Sequence, residues 1–111
     1  MEVIITQQDG VNVVTLVGEI DGQSAPVAQA QILPLAIPDS GLIMDMTEVV
    51  YMSSAGLRMM VLLYRQFTAQ NGKIVLVGLS EGIQDTMSAT GFLNFFVVSE
   101  TYEAGLKAIG G

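Results

Sequence analysis

The sequence predicts an α/β fold in which a mainly parallel sheet of four to five strands carries about four helices in one domain. Short apolar runs alternate along the chain with segments in which apolar residues recur every three or four positions, as expected for parallel strands joined by helices. The length of 111 residues is enough for one hydrophobic core, and half of the residues are apolar. We therefore expect a single folded domain over residues 1–111 rather than a disordered chain.

A β-hairpin is predicted at the start of the chain. Residues 3–6 and 12–17 are rich in β-branched and apolar side chains, a composition typical of strands. The dipeptide Asp9-Gly10 lies between them and is typical of a tight hairpin turn. The first two strands should therefore be neighbours in the sheet.

A short helix should follow the hairpin. A loop at residues 21–24 leads into a segment with Pro26 in its first turn, a position where proline is tolerated. Pro34 would break the interior of a helix, so this helix should end or kink near Leu33. Residues 35–40 are then expected to form a loop.

The middle of the chain is predicted to form a buried strand and an amphipathic helix. Residues 41–46 are almost wholly apolar, which favours a strand buried on both faces, and Thr47 and Glu48 should mark a turn after it. The helix should run to Gln70 and end at Asn71-Gly72. Its apolar face comprises Leu57, Met60, Val61, Tyr64 and Phe67, and its outward residues are Arg58, Arg65, Gln66 and Gln70.

The last third of the chain is predicted to contain two strands and two helices. We expect strands at residues 73–77 and 95–98 and a final helix at residues 101–109. Between the strands, Ser80 should cap a short helix that Gly91 closes.

The composition excludes several classes of activity. The chain has no Cys and no His, which excludes disulfides, Cys-based metal sites, a Ser-His-acid triad and a His- or Cys-based phosphocarrier. Neither a Walker-type loop nor a dinucleotide-binding glycine motif is present. We therefore expect no catalytic residues, no metal and no cofactor, and we do not expect an enzyme.

The formal charge of −7 is unevenly distributed, because residues 1–57 contain seven acids and no base, whereas residues 58–111 contain four of each. So few cations cannot neutralise several phosphates, and nucleic acid binding is not expected. An acidic surface could steer a basic protein partner or could simply keep the chain in solution, and both interpretations stay open.

No apolar run has the length and composition of a membrane span, so membrane insertion is not expected. The first residues lack the basic start and apolar block of a signal peptide. These two observations predict a cytoplasmic protein.

Two adjacent serines, Ser53 and Ser54, lie where the buried strand gives way to the amphipathic helix. The first N–H groups of a helix have no internal partner, and a serine oxygen that accepts from them contributes ~1 kcal/mol. The same N–H groups and the positive end of the helix dipole also stabilise an anion such as a phosphate. Capping is the commoner role, but the pair fits both interpretations.

The segment from Met44 to Arg58, which reads Met-Asp-Met-Thr-Glu-Val-Val-Tyr-Met-Ser-Ser-Ala-Gly-Leu-Arg, resembles the signature of the STAS domain. This family is named for sulphate transporters and anti-sigma factor antagonists. Residues 13–21, 72–78 and 90–96 also resemble its second strand, its fourth strand and its late helix-to-strand turn. The resemblance covers nearly the whole chain and implies a single STAS domain over residues 1–111.

The resemblance also implies a function, since stand-alone STAS domains are mostly anti-sigma factor antagonists. In these proteins an anti-sigma factor serine kinase phosphorylates a serine at the start of this helix, and its motif position corresponds to Ser54. The unphosphorylated form would sequester the kinase and so free a sigma factor, and a serine phosphatase is a further candidate partner. Ser53 and Ala55 depart from the family, where many members carry Asp and a second Ser.

The expected partner-binding surface combines the start of the helix with the end of the second strand. Asp21 should lie at the same carboxyl edge of the sheet, although an Asp-Gly turn residue is an alternative role for it. Asp45 is a supporting residue that accepts hydrogen bonds from the motif loop or faces solvent. Arg58 reaches a phosphate on Ser54 or is a solvated charge. The expected binding residues are Asp21, Ser53, Ser54, Ala55, Gly56 and Arg58.

The sequence leaves three alternatives to this function. The chain could be a STAS scaffold or accessory subunit of another assembly, such as a sensor complex or a lipid or anion transport system. It could be a relative that is not phosphorylated, in which Ser54 only caps the helix. A small enzyme or nucleotide-binding protein is disfavoured because His, Cys and a glycine loop are missing.

Overall fold

One five-stranded sheet organises residues 1–110, the part of the chain that the computed structural model describes. The strands are β1 Glu2–Gln8, β2 Val11–Ile20, β3 Gly41–Met52, β4 Lys73–Val77 and β5 Val97–Ser99. They lie in sequence order across the sheet. β1 is antiparallel to β2, and every other neighbouring pair is parallel.

Helices connect the parallel strands. Within residues 1–110 the α-helices are α1 Ser24–Ile32, α2 Ser54–Ala69, α3 Glu81–Ala89 and α4 Tyr102–Gly110, with short 3-10 turns at Leu33–Leu35 and Phe92–Phe95. This architecture confirms the predicted α/β class with a mainly parallel sheet. No helix in these residues is long and apolar enough to cross a membrane.

Helices cover the sheet on both faces. On one face α1, α2 and α3 pack over the larger core, which includes Met44 of β3 and Met60 of α2. On the other face α4 packs alone over a smaller cluster that includes Ile43 and Val75. Neighbours such as Ile43 and Met44 enter different cores because successive side chains of a strand point to opposite faces.

The first connections follow the predictions. Asp9 and Gly10 have φ angles of 53° and 80°, as a tight hairpin turn with two left-handed residues requires. The helix after the hairpin ends at Ile32, and Pro34 lies in the 3-10 turn that follows. The predicted helix end near Leu33 is therefore confirmed.

The predicted turn at Thr47 and Glu48 is wrong, because β3 continues to Met52. Its register with β2 shifts twice, and at each shift β3 contains one more residue than its partner. Such bulges let two adjacent residues face outward without reversing the strand. Val49 and Met52 therefore stay buried while the polar pair is exposed.

The amphipathic pattern of α2 is confirmed. Leu57, Met60 and Phe67 are buried, and the four residues predicted to point outward are exposed. Asn71 has a φ of 58°, and the Gly72 N–H donates to the Phe67 carbonyl at 2.7 Å. These left-handed and hydrogen-bonded residues end the helix as predicted.

The Ser80 cap of α3 is confirmed, since its Oγ accepts from the Ile83 N–H at 3.2 Å. The last strand lies later than predicted, at Val97–Ser99. The Tyr64 ring packs against Phe95 and Phe96 at centroid distances of 5.2 and 5.6 Å. These contacts hold the start of the predicted strand in a 3-10 turn.

Candidate functional site

The two motif serines lie at the start of α2 and at the carboxyl edge of the sheet. Ser53 is the extended residue before the helix, and Ser54 is the first helical residue. The Ser53 N–H donates to the Ile20 carbonyl at 2.8 Å, and the Ser53 carbonyl accepts from the Leu57 N–H at 3.0 Å. The backbone at the motif is thereby fixed both to the end of β2 and to the first turn of α2.

The Ser53 side chain does not cap the helix, so the capping interpretation is wrong for this residue. Its hydroxyl oxygen is buried and has no hydrogen-bond partner among residues 1–110. An unpaired buried hydroxyl costs about 1–3 kcal/mol.

Ser54 presents the more accessible hydroxyl of the two. The residue is exposed, whereas Ser53 is only partly exposed. Its position as the first residue of α2 puts it beside the positive end of the helix dipole. A negative group at this position would be electrostatically favoured.

Gly56 allows α2 to begin close to the sheet. A Cβ at this position would lie 2.5 Å from Met52 Cγ, 2.9 Å from Ile20 Cγ2 and 3.2 Å from the Ile20 carbonyl oxygen. Carbon atoms in contact are normally about 3.5–4.0 Å apart. Only glycine fits without displacing the end of β2, so Gly56 sets the position of the two serines relative to that strand.

Asp21 forms a cap at the start of α1. Its Oδ1 accepts from the N–H groups of Gln23 and Ser24, each at 2.9 Å. Ser24 Oγ in turn accepts from the Asp21 N–H at 2.9 Å and donates to the Glu19 carbonyl at 2.8 Å. The hydrogen bonds from Ser24 and Gln23 lower the pKa of the Asp21 carboxyl, because they stabilise its charged form.

This cap is more specific than the turn role considered for Asp21. Ser24 was not singled out from the sequence, although its spacing three residues after Asp21 is that of a reciprocal capping pair. The pair anchors Asp21 directly after Ile20, whose carbonyl holds Ser53. Asp21 and the motif serines therefore occupy the same edge of the sheet.

A groove between α1 and α2 runs from this edge. Its lining residues are Gly22, Ala25, Pro26, Gln29, Ala55, Arg58, Met59 and Leu62. Ala55 is partly exposed, and Arg58 is exposed. Arg58 is four residues after Ser54 and so shares its helix face.

Asp45 lies away from this groove. It is partly exposed within β3, and its Oδ1 accepts from the Thr47 N–H at 3.0 Å. This hydrogen bond is at the first bulge of β3 rather than at the motif serines. Asp45 thus supports the local shape of the strand.

Two apolar residues beside the serines were missed as candidate contacts. Val50 is 74% exposed and Tyr51 is 52% exposed, although both belong to a mostly apolar strand. The second bulge of β3 turns them outward. In the sequence, their exposure is signalled only by the run of apolar residues before the serines, and such a run equally well indicates buried core residues.

Comparison with known proteins identifies the family. A family model described as the STAS domain matches residues 2–105. The chain belongs to the STAS domain family. The Bacillus subtilis (strain 168) STAS relative named anti-sigma-B factor antagonist is 33% identical over 94 residues, which are 85% of this chain and 86% of that protein.

Solved STAS structures have the same fold. An anti-sigma factor antagonist from Mycobacterium paratuberculosis matches with a TM-score of 0.87 and 25% identity, over 99% of this chain and 94% of its own. The Bacillus protein SpoIIAA in its unphosphorylated form matches with a TM-score of 0.77 and 17% identity, over 99% of each chain. Its phosphorylated form matches with a TM-score of 0.74 and 17% identity, over 97% of this chain and 99% of its own.

Proposed function

We propose that this STAS domain is an anti-sigma factor antagonist controlled by phosphorylation of Ser54. Unphosphorylated, it sequesters an anti-sigma factor serine kinase and so frees a sigma factor. The observation that carries the proposal is the exposed Ser54 hydroxyl at the first residue of α2. The names of the relatives and the two forms of SpoIIAA also support it.

The contact surface for the kinase lies around the start of α2. Ser54 is exposed at its centre, and Ala55 and Arg58 extend it along the groove toward α1. Asp21 contributes a charged carboxylate at the same edge, held by its cap. Its depressed pKa keeps it ionised, so it offers a fixed negative charge to a basic residue of the kinase.

A phosphate on Ser54 acts as a switch through charge and bulk. It adds about 1.5–2 negative charges at pH 7, next to the ionised Asp21 at the same edge. A kinase surface that accepts a negative carboxylate and a small hydroxyl then meets a larger and more negative group. Because Ser54 is exposed and lies at the positive end of α2, the phosphate leaves the fold intact.

Ser53 tunes this switch. An uncharged residue here removes a repulsion that the Asp of many relatives would exert on the phosphate. Its own hydroxyl is buried, which supports Ser54 as the acceptor.

The proposal is tested by the affinity of the chain for the kinase that co-purifies with it. Ser54→Glu should weaken binding at least about tenfold, since a charge is placed in the contact. Ser88→Glu is the matched control, because it adds the same charge at an exposed position of α3, and it should bind like the unmodified chain.

Equal binding by Ser54→Glu and the unmodified chain would overturn the switch. Co-purification with a transporter or a large homomeric complex, and with no kinase, would instead support a scaffold or accessory subunit. The first result concerns Ser54, and the second concerns the partner.

A further inference from the structure

The face of the sheet that α4 packs against is only partly covered. The residues buried beneath α4 are Val13, Ile43, Val75 and Val77. Strand alternation and register identify the remainder of this face, because Thr15, Val17 and Glu19 follow Val13 at two-residue steps along β2. No helix of residues 1–110 packs over this part of β1, β2 and β3. We call it the uncovered sheet face.

The pairing of the strands places acidic and apolar side chains together on this face. Val17 is paired with Glu2 on one side and with Glu48 on the other. In the neighbouring row Thr15 is paired with Ile4 and with Asp45. Beyond them Glu19 is paired with Tyr51. The uncovered sheet face thus consists of Glu2, Ile4, Thr15, Val17, Glu19, Asp45, Glu48 and Tyr51.

One cation lies at the end of this face, the α-amino group of Met1, which lines a pocket with Glu19. No Lys or Arg precedes Arg58 in the sequence, and both arginines belong to α2, which packs on the opposite face. Lys73 begins β4, at the amino end of the parallel strands, and its Nζ donates to the Ile109 carbonyl at 3.3 Å. Lys107 is in the last turn of α4, close to that end. Lys and Arg side chains therefore leave most of the charge of this face uncompensated, which favours a basic partner.

The face also has an apolar centre. Ile4 is 40% exposed, and Val17 lies partly exposed between Glu2 and Glu48. Val17 with a carboxylate on each side resembles the apolar centre and polar rim of a protein interface, and Ile4 extends the apolar surface to the edge strand β1.

We propose that the uncovered sheet face binds an amphipathic helix of a partner protein with Lys and Arg along its margins. The helix lies beside α4, which packs on the same face through apolar residues such as Leu106 and Ile109. Its apolar stripe contacts Ile4 and Val17, and its basic residues contact the surrounding carboxylates. This surface goes beyond the proposed function, because α2 and Ser54 belong to the opposite layer.

The proposal is tested with a synthetic Leu/Lys peptide of amphipathic helical pattern and an isotope-labelled chain. Amide signals of residues 2–4, 15–19 and 45–51 should shift on titration. The double variant Glu2→Gln/Glu48→Gln should weaken binding about threefold to tenfold, since each exposed charge pair makes a modest contribution. Ile4→Thr should weaken it as well without changing the charge.

Matched controls separate this face from the net charge of the chain. Glu81→Gln/Glu103→Gln removes an equal number of charges from exposed positions on α3 and α4. It should leave the affinity within twofold of wild type, which corresponds to a change in binding free energy of about 0.4 kcal/mol or less. Ile37→Thr changes an isoleucine that is 57% exposed elsewhere and should have no effect. Equal losses in both charge variants, or signal shifts confined to α2 and α3, would overturn the proposal.

Discussion

The two adjacent motif serines differ in what their side chains do. The Ser53 hydroxyl is buried and has no hydrogen-bond partner among residues 1–110. Ser54 presents its hydroxyl to solvent at the first residue of the helix. The structure thus separates a packing residue from an accessible one, and only the second fits the proposed modification.

Replacing Ser53 by alanine should cost little stability or none. A capping serine contributes ~1 kcal/mol, but Ser53 makes no capping bond. Ser80→Ala is the matched control, because the Ser80 hydroxyl accepts from the Ile83 N–H, and it should lower the free energy of unfolding by ~1 kcal/mol. Urea unfolding of both variants measures the difference. A larger loss for Ser53→Ala than for Ser80→Ala would contradict the geometry of the site.

Asp21 should make the folding stability of the chain decrease as the pH falls into the acid range. Its pKa is lowered in the folded protein by hydrogen bonds from Ser24 and Gln23. The unfolded chain therefore binds a proton first, at a pKa of ~3.9. The stabilisation is present above that pH and is lost as the pH falls through the lower folded-state pKa. Asp21→Asn should remove this part of the pH dependence of stability, while the contribution of the other carboxyl groups remains. Identical unfolding curves against pH for the variant and the wild type would show that the cap contributes nothing.

At the scale of elements, the site depends on how closely α2 begins to the end of β2. Gly56 permits this approach, with Ile20 and Met52 on either side of it. The bond from Ser53 to Ile20 then fixes the distance between the strand and the helix. The start of α2 is positioned by backbone contacts rather than by side-chain caps.

A methyl group at Gly56 should disturb this junction. Gly56→Ala should lower the free energy of unfolding by about 1–3 kcal/mol through overpacking, since Ile20 is fully buried and cannot move away freely. Gly82→Ala is the matched control in another helix, where an added Cβ meets no atom within 4 Å. It should be neutral or stabilising by up to about 1 kcal/mol. Equal changes in the two variants would mean that α2 does not need the glycine for its docking.

Elements with strong periodicity could be predicted from the sequence. The range of β4 and the apolar face of α2 were correct because their patterns reflect burial directly. The prediction ended β3 before Thr47, because two polar residues in a bulge have the same sequence pattern as a turn. β5 was placed too early because the aromatic packing of Tyr64 is a tertiary contact.

The candidate site could be predicted only in part. The edge of the sheet that holds the motif follows from the fold, since loops after parallel strands share one edge. The orientation of the Ser53 hydroxyl and the exposure of Tyr51 do not follow from local sequence. The first depends on tertiary packing around the start of α2, and the second depends on a bulge.

At the scale of the whole molecule, the charges and the two candidate surfaces are arranged separately. Four of the seven acids of the first half lie on the uncovered sheet face, and the arginines lie on α2 in the opposite layer. The proposed kinase contact is at the start of α2, on a chain with a net charge of −7. A phosphate on Ser54 therefore adds about 1.5–2 negative charges to an already acidic chain, at a contact that accepts a neutral hydroxyl in the unphosphorylated form.

The most direct test of the phosphorylation switch is the position of phosphate in the protein isolated from its own cells. Mass spectrometry would compare the chain bound to an anti-sigma factor kinase with the unbound chain. We predict phosphate on Ser54 in the unbound pool and none in the bound pool. Phosphate on Ser53 alone, or equal phosphorylation of Ser54 in the two pools, would contradict the proposed function.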